Sequence, residues 1–198
     1  MRNSALVALL SMVCLMASVS RVESAGPWHA QVVGAETKQP LEGVVVLAWW
    51  TRHVRSFGGP SEEYRDSQEV LTDRDGRFAI ASRSFFSLNP LVFFRGPFVT
   101  MFKSGYGRFG WPGYQGSEQW PKEKQDALRT AAKLLQLDGI VLEMSHLESV
   151  EQRKEYLGKL EGAYLVVPVE RRPLLQKAIE EERRAFGYRS RLLPGLNP

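Results

Sequence analysis

Trp28, Ala30 and Val32 alternate with His29 and Gln31, the period-two pattern of a half-buried strand. Gly34 to Gln39 is turn-like, and Pro40 and Gly43 bracket the entry to a second strand, Val44 to Trp50. In that strand Val44, Val46, Ala48 and Trp50 are apolar, and so are Val45, Leu47 and Trp49 on the opposite face. Both faces need cover, one from a facing sheet and the other from elsewhere in the chain. Arg55 to Asp66, polar and carrying Gly58-Gly59-Pro60, reads as a loop. Gln68 to Thr72 is a short strand, Asp73-Arg74-Asp75-Gly76 a turn, and Arg77 to Ala81 a further strand with Phe78 and Ile80 on one face. Leu91 to Lys103 is long, apolar and aromatic. Its break at Gly96-Pro97 predicts a bulge or an edge, because proline has no N–H to give to a ladder.

The character changes after Gly105. Gly105 to Pro121 carries the large aromatics Tyr106, Phe109, Trp111, Tyr114 and Trp120 among closely spaced glycines, a loop pinned by its rings. Lys122 to Leu137 shows a helical stripe, Leu128, Ala131/Ala132 and Leu135, and Ile140 to Met144 reads as one more strand. Ser145 is placed to cap a helix running through Leu147, Val150, Leu157 and Leu160. Tyr164 to Val167 reads as a short extended piece. Pro173 opens a last helix with Leu175, Ala178/Ile179, Glu182 and Phe186, whose apolar residues are expected to cover the second face of Val44–Trp50.

The N-terminus reads as an address. Met1-Arg2-Asn3 is positive and Ala5 to Val19 is apolar, a run of about 15 residues, short of the roughly 20 that a bilayer span needs. Residues 1–24 are therefore expected to be a signal peptide ending at Val22-Glu23-Ser24, and the protein to be exported, periplasmic or secreted, with no retained transmembrane helix. The single cysteine, Cys14, lies inside this run, so the remaining chain has no thiol for a disulfide, a nucleophile or a metal. The 26 Lys and Arg against 22 Asp and Glu, a formal +4, alternate without forming blocks, which argues against a nucleic-acid partner.

Val32-Val33-Gly34-Ala35-Glu36-Thr37-Lys38-Gln39-Pro40-Leu41-Glu42-Gly43-Val44-Val45-Val46, followed by Thr72-Asp73-Arg74-Asp75-Gly76-Arg77-Phe78 and by Phe102-Lys103-Ser104-Gly105-Tyr106, resembles the carboxypeptidase regulatory-like domain. The resemblance spans roughly residues 27 to 106, with Gly139 to Met144 as a final strand. It implies a mainly β protein (α+β overall), a transthyretin-like (prealbumin-like) seven-strand Greek-key β-sandwich. The sandwich would occupy 27–144, with an aromatic, Gly-rich and helical insertion at 105–138 and a helical C-terminal extension at 145–198. Such a resemblance speaks to fold and is almost silent on function.

One enzyme of this fold, 5-hydroxyisourate hydrolase, has a histidine in its first strand nine residues before the hairpin proline and a terminal Tyr-Arg-Gly-Ser. Here the first position is Gln31, with His29 two residues earlier, and Tyr188-Arg189-Ser190-Arg191 has no glycine and is not terminal. His29, His53 and His146 lack metal-ligand spacing. Asp73-Arg74-Asp75-Gly76 starts like a calcium loop but meets Ser84 where the bidentate glutamate belongs. No cofactor or metal is expected, and no catalytic residue is assigned. The expected role is a non-catalytic structural or interaction module of the cell envelope with a protein partner. The alternative is glycan binding through Trp111, Tyr114 and Trp120, since exposed rings stack on sugars; a hydrolase is a further alternative.

Overall fold

The computed structural model describes residues 22–23, 27–110, 139–161 and 164–187. In chain order the strands are β1 (Val22–Glu23), β2 (Trp28–Gly34), β3 (Val45–Val54), β4 (Ser61–Leu71), β5 (Arg77–Ile80), β6 (Ser84–Phe85), β7 (Val92–Phe102), β8 (Tyr106–Gly110) and β9 (Ile140–His146). Two helices follow, α1 (Val150–Glu161) and α2 (Pro173–Ala185). One sheet has the order β5-β2-β9-β8, with β2 and β9 parallel and the other pairs antiparallel. The second has the order β4-β3-β7, antiparallel throughout, and β1 pairs with β6. The protein is mainly β, with two principal sheets facing each other across one core, the arrangement of a β-sandwich.

β3 explains why the helices are there. Val46, Ala48 and Trp50 turn toward the four-stranded sheet and pack with Val32, Ile80 and Leu142. Val45, Leu47 and Trp49 turn the other way and are covered by Leu157 and Leu160 of α1 and Leu175 and Ile179 of α2. Water is thus kept from both faces of one strand, as its two-sided apolar sequence requires. Pro173 is the first residue of α2, and the Glu69 carboxylate of β4 accepts the backbone N–H groups of Leu174 and Leu175, each at 2.8 Å. This ties the start of α2 to the sheet.

Several sequence expectations need correction. Arg55 to Asp66 is not all loop: β4 begins at Ser61 and pairs with β3 along its whole length. Its first residues are polar because this end of the edge strand faces solvent. Tyr106–Gly110, read as loop on its glycines, is β8. A Cβ on Gly107 would stand 3.1 Å from Leu147 Cδ2, so the missing side chain lets the lead into α1 lie on the strand. Ser145 belongs to β9, and Ser149 caps α1 instead. Its Oγ accepts the Gln152 N–H at 3.1 Å while Gln152 Oε1 accepts the N–H groups of Glu148 and Ser149, a reciprocal cap. Tyr164–Val167 is a turn, closed by the Val167 N–H on the Tyr164 carbonyl at 3.0 Å. The break at Gly96-Pro97 behaves as expected: the β3–β7 register shifts opposite it, between Trp49 and Thr51. The helical stripe at 122–137 lies outside the described residues.

Candidate functional site

The distinctive chemistry gathers at the end of the sandwich where β3 turns into β4. Two loops meet there, 55–60 between β3 and β4 and 86–91 between β6 and β7, joined by the Arg55 N–H on the Leu91 carbonyl at 2.9 Å. They carry exposed apolar side chains: Phe57 at 114% and Leu88 at 83% of full exposure, with Phe86 and Leu91 more than half exposed. Such exposure means that Phe57 and Leu88 have almost no neighbour and protrude.

Behind these loops, arginines lie over aromatic rings. Arg55 and Arg95 stand 5.1 and 5.3 Å from the centroid of Phe93, and Arg65 stands 5.6 Å from that of Phe85. Among the described residues none of these three is ion-paired to a carboxylate. Arg52 and Arg83 nearby are neutralised, by Glu63 at 2.7 Å and Asp66 at 2.8 Å. Phe85 belongs to an inner cluster with Trp28, Trp50 and Phe94, in which the Trp28 and Trp50 rings are 6.4 Å apart.

His53 is buried on the outer face of the three-stranded sheet beside this end. It stacks on Phe93 at 5.1 Å, exchanges a hydrogen bond with Thr51 Oγ1 at 2.9 Å and has Glu62 Oε1 at 3.7 Å. Burial lowers its pKa below the ordinary 6.5, Glu62 pulls it up and the Arg95 charge pushes it down again, leaving it lowered. The neutral ring is a packing and hydrogen-bonding element at neutral pH.

A second polar cluster lies under the C-terminal half of α2. Glu182 is buried there and accepts two bonds from Arg153 of α1, from Nε at 2.8 Å and from Nη2 at 2.7 Å, and a third from Ser104 Oγ at 2.5 Å. Burial acts against its charge, but the bonds from Arg153 and Ser104, the Arg153 charge and the Gly105 N–H outweigh it and hold the carboxyl below its usual range. Gly43, Phe102, Lys103 and Glu181 share the adjoining open crevice of about 300 Å³. With its acceptors filled by partners within the fold, this carboxylate fastens both helices to the β7–β8 turn.

The three histidines lie on three strands, β2, β3 and β9. Among the described residues no three His, Cys, Asp or Glu side chains gather to hold a metal. The Asp73 carboxylate that began a calcium-like pattern instead accepts the N–H groups of Asp75 and Arg77 at 2.9 and 2.8 Å and closes the turn. Trp111, Tyr114 and Trp120 lie outside the described residues. The Gly139 N–H bonds the His29 carbonyl at 3.0 Å near the start of β2. Sequence reasoning placed the binding chemistry in that segment and missed the two loops, whose one signal was large apolar residues beside Gly58-Gly59-Pro60 and Asn89-Pro90. No family model, curated protein or solved structure matches the chain.

Proposed function

We propose that the protein is an exported, non-catalytic interaction module of the cell envelope, a prealbumin-like Greek-key sandwich of carboxypeptidase regulatory-like type that makes its contacts through the 55–60 and 86–91 loops. The observation that carries the reading is the pairing of Phe57 and Leu88, both near full exposure, with arginines that lack carboxylate partners. Exposed apolar residues backed by cations have no use in the fold itself and mark a surface that meets something else. Supporting the fold assignment are the crossings between sheets after β2, β4 and β7 and the Asp73–Gly76 turn at the place the resemblance requires. Supporting export is the Met1–Ser24 sequence, read as a leader.

The test is fractionation of cells expressing the chain with its own leader, alongside a Phe57→Ser/Leu88→Ser variant. Wild-type protein is expected with the envelope and the variant in the soluble fraction, with unchanged circular dichroism. Equal distribution of the two would remove the loops from the account. Loss of retention on a cell-wall polysaccharide in a Trp111→Ala/Trp120→Ala variant would favour the glycan alternative.

A further inference from the structure

Resting on that reading, we infer that the loop end docks on an anionic lipid surface. Phe57 and Leu88 protrude from two separate loops, with Phe86 and Leu91 more than half exposed in the second. A protein interface of useful strength needs a continuous, complementary core. A lipid headgroup layer needs none, because it deforms around each inserted side chain and buries it on all sides. Phe and Leu are among the side chains that such a layer accepts best.

Charge selects the lipid. Around the loops, Arg52 and Arg83 are cancelled by Glu63 and Asp66, and Glu62 faces the neutral His53, leaving Arg55, Arg65 and Arg95 against that one carboxylate. Arg55 and Arg95 share the Phe93 ring, and both are exposed directly beside the apolar loops. Phosphate groups would supply the anions that the fold withholds from these guanidiniums.

The experiment is co-sedimentation of the protein purified in its exported form with vesicles of phosphatidylcholine alone and of phosphatidylcholine mixed with phosphatidylglycerol. Wild-type protein is expected to bind the anionic vesicles selectively and to be released by high salt. Phe57→Ser/Leu88→Ser should bind at least about tenfold more weakly, from the lost apolar insertion. Arg55→Gln/Arg95→Gln should also lose about tenfold, with a flatter salt dependence. Leu165→Ser, an exposed apolar position in the turn between the helices, should bind as wild type. Equal binding to both vesicle types, or unchanged binding by the Phe57→Ser/Leu88→Ser variant, would overturn the lipid assignment. If vesicles do not bind while that variant still leaves the envelope fraction, the partner is a protein: the lipid assignment fails and the loop-end reading stands. If the variant stays with the envelope as well, both fail.

Discussion

Trp49 and Trp50 are adjacent in the chain and pack in separate cores. Trp49 stacks on Phe98 at 5.6 Å in the cluster under the helices, and Trp50 lies fully buried between the sheets, 6.4 Å from Trp28 and 6.1 Å from Phe85. A strand alternates its side chains, so β3 is the common wall of two cores and α1 and α2 are integral to the fold.

The first prediction concerns that roof. Leu175→Ala and Ile179→Ala, each at a fully buried side chain, should each cost about 2–5 kcal/mol in urea unfolding. Leu165→Ala, at an exposed site, should stay within about 0.5 kcal/mol of wild type. Equal effects at the three positions would mean that the helices do not bury the outer face of β3.

Carboxylate pH dependence separates the two ends of α2. Glu182 has a lowered pKa, so its stabilisation is present above the unfolded carboxylate value and is lost as pH falls through the lower folded one. Burial raises the pKa of Glu69 against the pull of the Leu175 and Leu174 N–H groups and Arg172, so its contribution has the opposite sign, present in acid and lost as pH rises through its folded value. Urea unfolding should show the stability gap between wild type and Glu182→Gln narrowing on acidification. The gap between wild type and Glu69→Gln should not narrow in this way.

His53 offers a residue-level check. Its ring should titrate below 6.5 by NMR, and its contribution to stability should fall as pH drops from the unfolded histidine value toward the folded one. Arg95→Gln should raise the midpoint and Glu62→Gln should lower it further, since Arg95 pushes it down and Glu62 pulls it up. Reversed directions would contradict the placement of the ring between these two charges.

Gly76 closes the turn that carries the chain from β4 to β5 at φ +71°, and a Cβ there would meet the Val32 carbonyl oxygen at 2.3 Å. Gly76→Ala should therefore lower stability by roughly 1–3 kcal/mol or more in thermal unfolding. A neutral result would show that the turn is not held against β2.

The parts of the fold legible in the sequence were those with one strong local cause. The two-sided apolar run of β3 called for a roof, and Pro173 with the Leu175/Ile179 stripe supplied it. The Asp73–Gly76 turn was readable because its carboxylate and glycine act within a few residues of each other. Tertiary pairing overrode the weaker signals. Ser61–Asp66 is polar enough for a loop, yet its backbone completes the ladder of β3, and Gly107 and Gly110 lie in a strand because β9 holds it. Ser149 outcompeted Ser145 because β9 extends to His146 before the chain is free to turn. The loop end was hidden for a related reason: Phe57, Leu88 and Arg95 are far apart in sequence, and only the β3–β7 pairing brings them to one end.

Site-specific photo-crosslinking in intact cells tests the central claim most directly, with a benzophenone side chain at position 57, 88 or 165. The account predicts adducts to envelope components from positions 57 and 88 and none from 165 in the turn between the helices. Adducts from 165 with none from 57 or 88 would place the working surface on the roof and contradict the account.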